Sequence, residues 1–220
     1  MENTWSKVDD YIQRKTQSRD EDLQHVLDHN REQGLPAIDV SPNEAKFLYT
    51  LAKMKDAKRI LEIGTLGGFS TIWLAKAVQP EGKVITLEIN PHHAEVAKAN
   101  LQNTSLDHLV EIKLGSAHAS LEELIVSKEE PFDFVFIDAD KESCVPYFQA
   151  VLKLSKRGTV IVTDNVIRNG ELINKESKDT GVAGVRALFD HLATLDHVSS
   201  TSLQTVGSKG YDGFSISIVE

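Results

Sequence analysis

From Lys58 onward, short apolar runs alternate with amphipathic ones. RILEIG, KVITLEI, LVEIKLG, FDFVFID and GTVIVTD are rich in β-branched and aromatic residues and predict strands. FSTIWLAKAV, PHHAEVAKANLQ, AHASLEELIV and VPYFQAVLKL lie between them, carry apolar residues at helical spacing and predict helices. Strands that are apolar at nearly every position need cover on both faces, which a parallel sheet with helical crossovers provides. The pattern therefore predicts a doubly wound α/β fold around a mostly parallel, seven-stranded sheet. The last two strands break the alternation. HVSSTSLQTV, a GSKG turn and YDGFSISIV have no helix between them and predict an antiparallel hairpin at one edge.

Ahead of the alternation, two polar amphipathic stretches, Trp5 to Arg14 and Asp20 to Gln33, read as helices, with Leu23, Val26 and Leu27 forming the apolar stripe of the second. GLP breaks that helix. SPNEAKFLYTLAKM then starts another, with Ser41 as N-cap, Pro42 in the first turn and Glu44 closing a capping box. With no repeat, low-complexity segment or linker in view, 220 residues make one domain with a full hydrophobic core.

Charge and cysteine usage narrow the partners. A net charge of −9 disfavours broad attraction to nucleic acid or an anionic membrane. The single cysteine, Cys144, makes no internal disulfide, which fits the reducing cytoplasm. The stretch MENTWSKVDD lacks the apolar core of a signal peptide, and no run approaches the roughly 18 apolar residues of a membrane span. Cytoplasmic residence without membrane contact is the expectation.

In such folds ligands bind outside the carboxyl ends of the strands. After the first strand, Gly64, Gly67 and Gly68 permit a tight turn and a close approach of ligand to backbone, and Ser70 opens a helix whose unpaired N–H groups suit a carboxylate or phosphate. The spacing is not the dinucleotide fingerprint G-x-G-x-x-G: two residues separate Gly64 from Gly67, and Glu62 precedes them. Glu88 ends the second strand, where a carboxylate can accept from both hydroxyls of a ribose. Asp138 ends the fourth strand, and Asp164 with Asn165 ends the fifth. Neighbouring strands lie about 4.8 Å apart, so these side chains can converge. Two carboxylates and an amide carbonyl form an oxygen-only set suited to Mg²⁺. Zinc spacing is absent, and His92, His93 and His118 read as surface or loop residues.

LEIGTLGGFSTIWLA, DFVFIDADK, TDNVIRNG and GYDGF, in that order, resemble the cation-dependent class I O-methyltransferases. This is the family of catechol O-methyltransferase and the plant caffeoyl-coenzyme A O-methyltransferases, with many small bacterial members, and the resemblance runs from Ser41 to the final hairpin. It implies transfer of a methyl group from S-adenosylmethionine, with a divalent cation such as Mg²⁺, to a catechol-type phenolic small molecule. By resemblance, the donor lies over Gly64 and Thr65 with Glu62 nearby, Ser70 on its carboxylate, Glu88 on its ribose, Ala117 beside its adenine and Val40 covering it. Asp138, Asp164 and Asn165 match the metal ligands, Asp138 and Asp140 also border the cofactor, Lys141 matches the catalytic lysine, and Lys141 and Asn169 match substrate-side positions. Residues 1–55 would then cover the ligand side of a core formed by residues 56–220, and a homodimer is implied.

Two positions depart from the family pattern. Cys144 stands where an aromatic residue is common, and Arg168 replaces the Trp of the plant enzymes, so both bear on acceptor identity. For Lys141 to take a phenolic proton, burial or a neighbouring cation must depress its pKa. Three other functions compete. A transfer-RNA hydroxyuridine O-methyltransferase is disfavoured by the charge, an NAD-dependent oxidoreductase by the glycine spacing and acidic strand ends, and a non-catalytic nucleotide-binding module by Lys141 standing with all three candidate ligands.

Overall fold

The computed structural model describes residues 2–16, 22–78 and 81–220. Among them, β1 (Arg59–Ile63), β2 (Lys83–Glu88), β3 (Val110–Leu114) and β4 (Phe132–Ile137) are followed by β5 (Ser155–Thr163), β6 (Val198–Gly207) and β7 (Gly210–Val219). These seven strands form one sheet in the order β3-β2-β1-β4-β5-β7-β6. β1 to β5 pair in parallel, while β7 runs antiparallel to both β5 and β6. The expected hairpin thus forms that edge, with β7 slotted inside β6. The chain winds outward from β1 to β3 and returns to lay β4 on the other side of β1, so the order reverses between β1 and β4. A crevice opens at the carboxyl ends of strands at such a reversal.

The helices are α1 (Glu2–Thr16), α2 (Asp22–Glu32), α3 (Pro42–Met54), α4 (Phe69–Ala77), α5 (Pro91–Asn103), α6 (Ala117–Val126), α7 (Cys144–Lys153) and α8 (Thr180–Leu192). Alternate strand residues feed two buried layers. Phe134 and Phe136 join Leu48 of α3 and Ile72 and Trp73 of α4 on one face. Val135 and Ile137 join Leu121 of α6, Phe148 of α7 and Leu188 of α8 on the other. The capping box forms as its spacing predicts: Glu44 N donates to Ser41 Oγ and Ser41 N to a Glu44 carboxylate oxygen, each at 3.3 Å. Asp20 and Glu21, the expected start of the second helix, lie outside the described residues. No described helix is long and apolar enough to cross a membrane.

One element has no counterpart in the sequence pattern, which predicts no helix or strand between Asn165 and His197. α8 carries Gly181 and Gly184, residues that weaken a helix in isolation. The packing explains Gly184, because a Cβ there would lie 2.1 Å from the carbonyl oxygen of Lys141. Asp179 caps the helix, accepting from Gly181 N at 2.7 Å and Val182 N at 3.3 Å.

Candidate active site

Gly64 follows β1 with φ +100°, and a Cβ on it would stand 2.0 Å from the carbonyl oxygen of Asp138. Only glycine lets the turn lie against the end of β4 in this way. Glu88 holds the rest of the turn, its Oε2 accepting from Thr65 N at 3.2 Å and Leu66 N at 2.8 Å. Its Oε1 accepts from Asn90 N at 2.8 Å. The carboxylate is thus locked in place and still borders a cleft of about 780 Å³.

A chain of buried amides ties this turn to the segment across the cleft. Asn100 Nδ2 donates to Gly67 O at 2.8 Å and to Asn30 Oδ1 at 2.9 Å, while Asn30 Nδ2 donates to Asp39 Oδ1 at 2.8 Å. A Cβ at Gly67 would meet Asn30 Oδ1 at 2.0 Å, so the fourth position of the turn also needs glycine. Asp39 and Val40 line the cleft with Gly64, Thr65, Ser70 and Ala117. No local pattern marks the two asparagines, which meet from helices although they lie 70 positions apart in sequence.

Glu62 lies beneath the turn, fully buried and away from the cleft lining. Ser70 Oγ donates to it at 2.6 Å, Thr86 Oγ1 at 2.7 Å, and Thr71 Oγ1 donates as well. Burial pushes its carboxyl up to about 7, the three hydroxyls opposing and Asp138 adding to the rise. The folded protein therefore keeps a proton that the unfolded chain releases near pH 4.5. This contribution to stability is complete below that pH and is lost as the pH rises through about 7. Denaturant titrations from pH 5 to 8 should show the wild type losing about 3 kcal/mol relative to Glu62→Gln. Parallel profiles for the two proteins would refute the assignment.

At the other end of the cleft, Lys141 is 8% exposed, and its Nζ donates to Asp138 Oδ1 at 2.9 Å. Burial alone would lower its pKa, but the Asp138 and Asp164 carboxylates outweigh it and hold the ammonium above the usual lysine range. The sequence argument required the opposite shift; two facing carboxylates make the difference. Asp164 is buried, and its carboxyl is pushed well above the carboxylate range by burial, then by Asp138 and Glu44, against the pull of Lys141. Glu44, read from sequence only as a helix-capping residue, is itself raised by burial and by the Asp138 and Asp212 carboxylates. Asn165 adopts φ 52° and donates its backbone N–H to Asp164 Oδ1 at 2.7 Å.

Among the described residues, no group of three or more His, Cys, Asp or Glu side chains is arranged to hold a metal ion. The expected set has two carboxylates, its third donor being an amide oxygen. Besides burial, the Asp138 carboxylate raises both the Asp164 and the Glu44 carboxyl, so acidic groups crowd this end of the cleft around one facing ammonium. Such oxygen donors fit a hard divalent cation.

Asp140 also borders the cleft and accepts from Tyr147 OH at 2.6 Å, and the Tyr147 ring packs on His118 with centroids 4.8 Å apart. His93 and His118, read as surface residues, line the cleft from α5 and α6, while His92 is exposed on α5. Cys144 is buried in the layer beneath α7. Asn169 is exposed and is not part of the cleft wall, whereas its neighbour Arg168 is. Asp212, from the GYDGF motif, positions that loop: its Oδ1 accepts from Ile167 N at 3.0 Å and Arg168 N at 2.9 Å.

The sequence profile of the O-methyltransferase family matches residues 14–211. Catechol O-methyltransferase from Niastella koreensis is 44% identical over 216 residues, 98% of each chain. Catechol O-methyltransferase from Mycobacterium tuberculosis is 48% identical over 185 residues, covering 84% of this chain and 82% of that one. The crystal structure of the O-methyltransferase from Bacillus cereus in complex with SAH superposes with a TM-score of 0.98 at 48% identity, with 100% of both chains covered.

Proposed function

Since the chain belongs to the O-methyltransferase family, we propose that it methylates one hydroxyl of a catechol-type or related vicinal aromatic diol. S-adenosylmethionine is the donor, and Asp138, Asp164 and Asn165 hold a divalent cation, Mg²⁺ being the natural choice. The observation that carries this reading is the single cleft bordered by both the Glu88-held glycine turn and the Lys141–Asp138 pair. Similarity to two proteins named catechol O-methyltransferase supports the acceptor class.

The residues divide the work. Glu88 takes the ribose hydroxyls, Ser70 the methionine carboxylate, Asp140 and Ala117 flank the donor, and Val40 covers it. A phenol of pKa about 10 is about 0.1% ionised at pH 7, a deficit near 4 kcal/mol. A bound divalent cation supplies charge that stabilises the phenolic oxyanion. Lys141 receives the proton. While Asp138 and Asp164 face it, they keep its ammonium charged; a cation held by both would weaken that opposition, and burial would then favour the neutral amine. Positioning the oxygen in line with the methyl group and sulfur supplies much of the remaining catalysis.

The same reading has one domain over residues 1–220, with residues 1–55 on the ligand side, acting in the cytoplasm as a homodimer. Val8, Tyr11 and Ile12, exposed on α1, offer apolar surface to a second copy.

Glu88→Ala should weaken S-adenosylhomocysteine binding by roughly 1.5–3 kcal/mol, the scale of a charged hydrogen bond. Calorimetry showing unchanged affinity would mean the donor is placed wrongly. The acceptor is tested by a methyl-transfer screen of catechols, flavonoids and transfer RNA, with and without chelator. Labelling of transfer RNA alone would overturn the small-molecule reading.

A further inference from the structure

We propose that Arg168 selects acceptors bearing a carboxylate, so that the preferred substrate is an acidic catechol with its anionic group on the ring or on a short arm. This rests on the catechol reading above and narrows it to a charge class.

The backbone of Arg168 is fixed before its side chain is considered. Its φ is 55°, and Asp212 grips its N–H together with that of Ile167. The side chain then borders the same cleft as Lys141 and Asn165. One arm is spoken for, since Nη2 donates to Asp179 Oδ2 at 3.1 Å. The Nε–H is buried and has no partner. The side chain as a whole is 33% exposed where it borders the cleft, so its outer N–H groups are the ones a ligand can reach.

Gly181 keeps this stretch of the wall low. A Cβ on it would lie 3.1 Å from Asp179 Oδ1, 3.4 Å from Lys141 Cβ and 3.5 Å from Arg168 Nη2, so the lysine stem and the Arg168–Asp179 pair meet at one place in the wall. An aromatic diol placed against Lys141 would direct its far substituent toward Arg168.

The acidic side chains on this side of the cleft have other partners. Asp138 bonds Lys141, Asp140 bonds Tyr147 and Glu142 bonds Thr180. Asp179 is shared between Arg168 and the N-terminus of α8, whose dipole offsets part of its charge. Arg168 is left with unused donors in a planar fork, the geometry that matches a carboxylate.

The test compares 3,4-dihydroxybenzoate, its methyl ester and dopamine as acceptors, at saturating S-adenosylmethionine and Mg²⁺. The wild type should show the highest kcat/KM on the acid. Arg168→Gln should raise KM for the acid about tenfold to a hundredfold, the range of a charged hydrogen bond, and far more than for the ester. Its kcat on the acid should fall much less than its KM rises. Asp179→Asn, which loosens the competing partner, should sharpen the preference for the acid. Affinity for S-adenosylhomocysteine, measured on each variant, reports whether the fold is retained. Equal losses on acid and ester, or a wild type that prefers the ester or dopamine, would overturn the proposal while leaving the methyltransferase reading intact. Binding of S-adenosylhomocysteine without turnover of any of the three diols would overturn the catechol reading and this proposal with it.

Discussion

Lys141→Ala is expected to lower turnover by about 10²–10⁴, the usual range for a general base. Affinity for S-adenosylhomocysteine should barely change, because the donor-binding turn is held by Glu88 and the Asn30–Asn100 pair. Lys141→Arg should not restore the rate. A guanidinium does not give up a proton near neutral pH. Acceptors with a more acidic hydroxyl should lose less, since they ionise with less help. If Lys141 instead serves only as a fixed positive charge, Arg would retain much of the rate and all acceptors would suffer alike. Turnover of the wild type and both variants on catechols of graded acidity separates the two roles. A uniform loss with substantial Arg activity would remove the base and keep the enzyme.

Excess chelator is expected to cut turnover about a thousandfold, corresponding to the roughly 4 kcal/mol needed to ionise a phenol at neutral pH, and Mg²⁺ or Mn²⁺ should restore it. Full activity in chelator would sink the cation. The structure also gives a readout independent of activity. Burial and its neighbours hold the Asp164 carboxyl well above the usual range, so cation binding must strip protons from this end of the cleft. Calorimetry of Mg²⁺ binding in buffers of different ionisation enthalpy should therefore report proton release, and Asp164→Asn should reduce it. S-adenosylhomocysteine should still bind in chelator.

The features legible in the sequence are those written locally. A glycine turn after an apolar strand, and acids closing three other strands, need no knowledge of the tertiary fold once the strands are recognised as parallel. The capping box at Ser41 and Glu44 is equally local, yet its second role is not: only packing brings Glu44 near enough to Asp164 to raise its carboxyl, and near enough to Asp138 for its own to be raised. α8 escaped notice because its glycines, which argue against a helix, are there to let it approach Lys141. Arg168 stood out as a departure from a family pattern, but its partner Asp179 and its unpaired Nε are facts of three dimensions. The raised ammonium of Lys141 is illegible for the same reason, since a strand-end lysine gives no sign that two carboxylates will face it.

The contact between Gly64 and Asp138 has a consequence for how this enzyme can diversify. The donor and acceptor compartments share a partition there, so a bulkier residue at 64 would displace both at once. Neither compartment can be remodelled from that side without disabling its neighbour. The opposite wall, from Arg168 to Thr180, carries no such double duty: Arg168, Asp179 and Thr180 line the cleft on the proposed acceptor side and leave the glycine turn untouched. New acceptor preferences are therefore accessible by single substitutions in that wall, while the partition stays fixed, and a library confined to it should retain donor binding throughout.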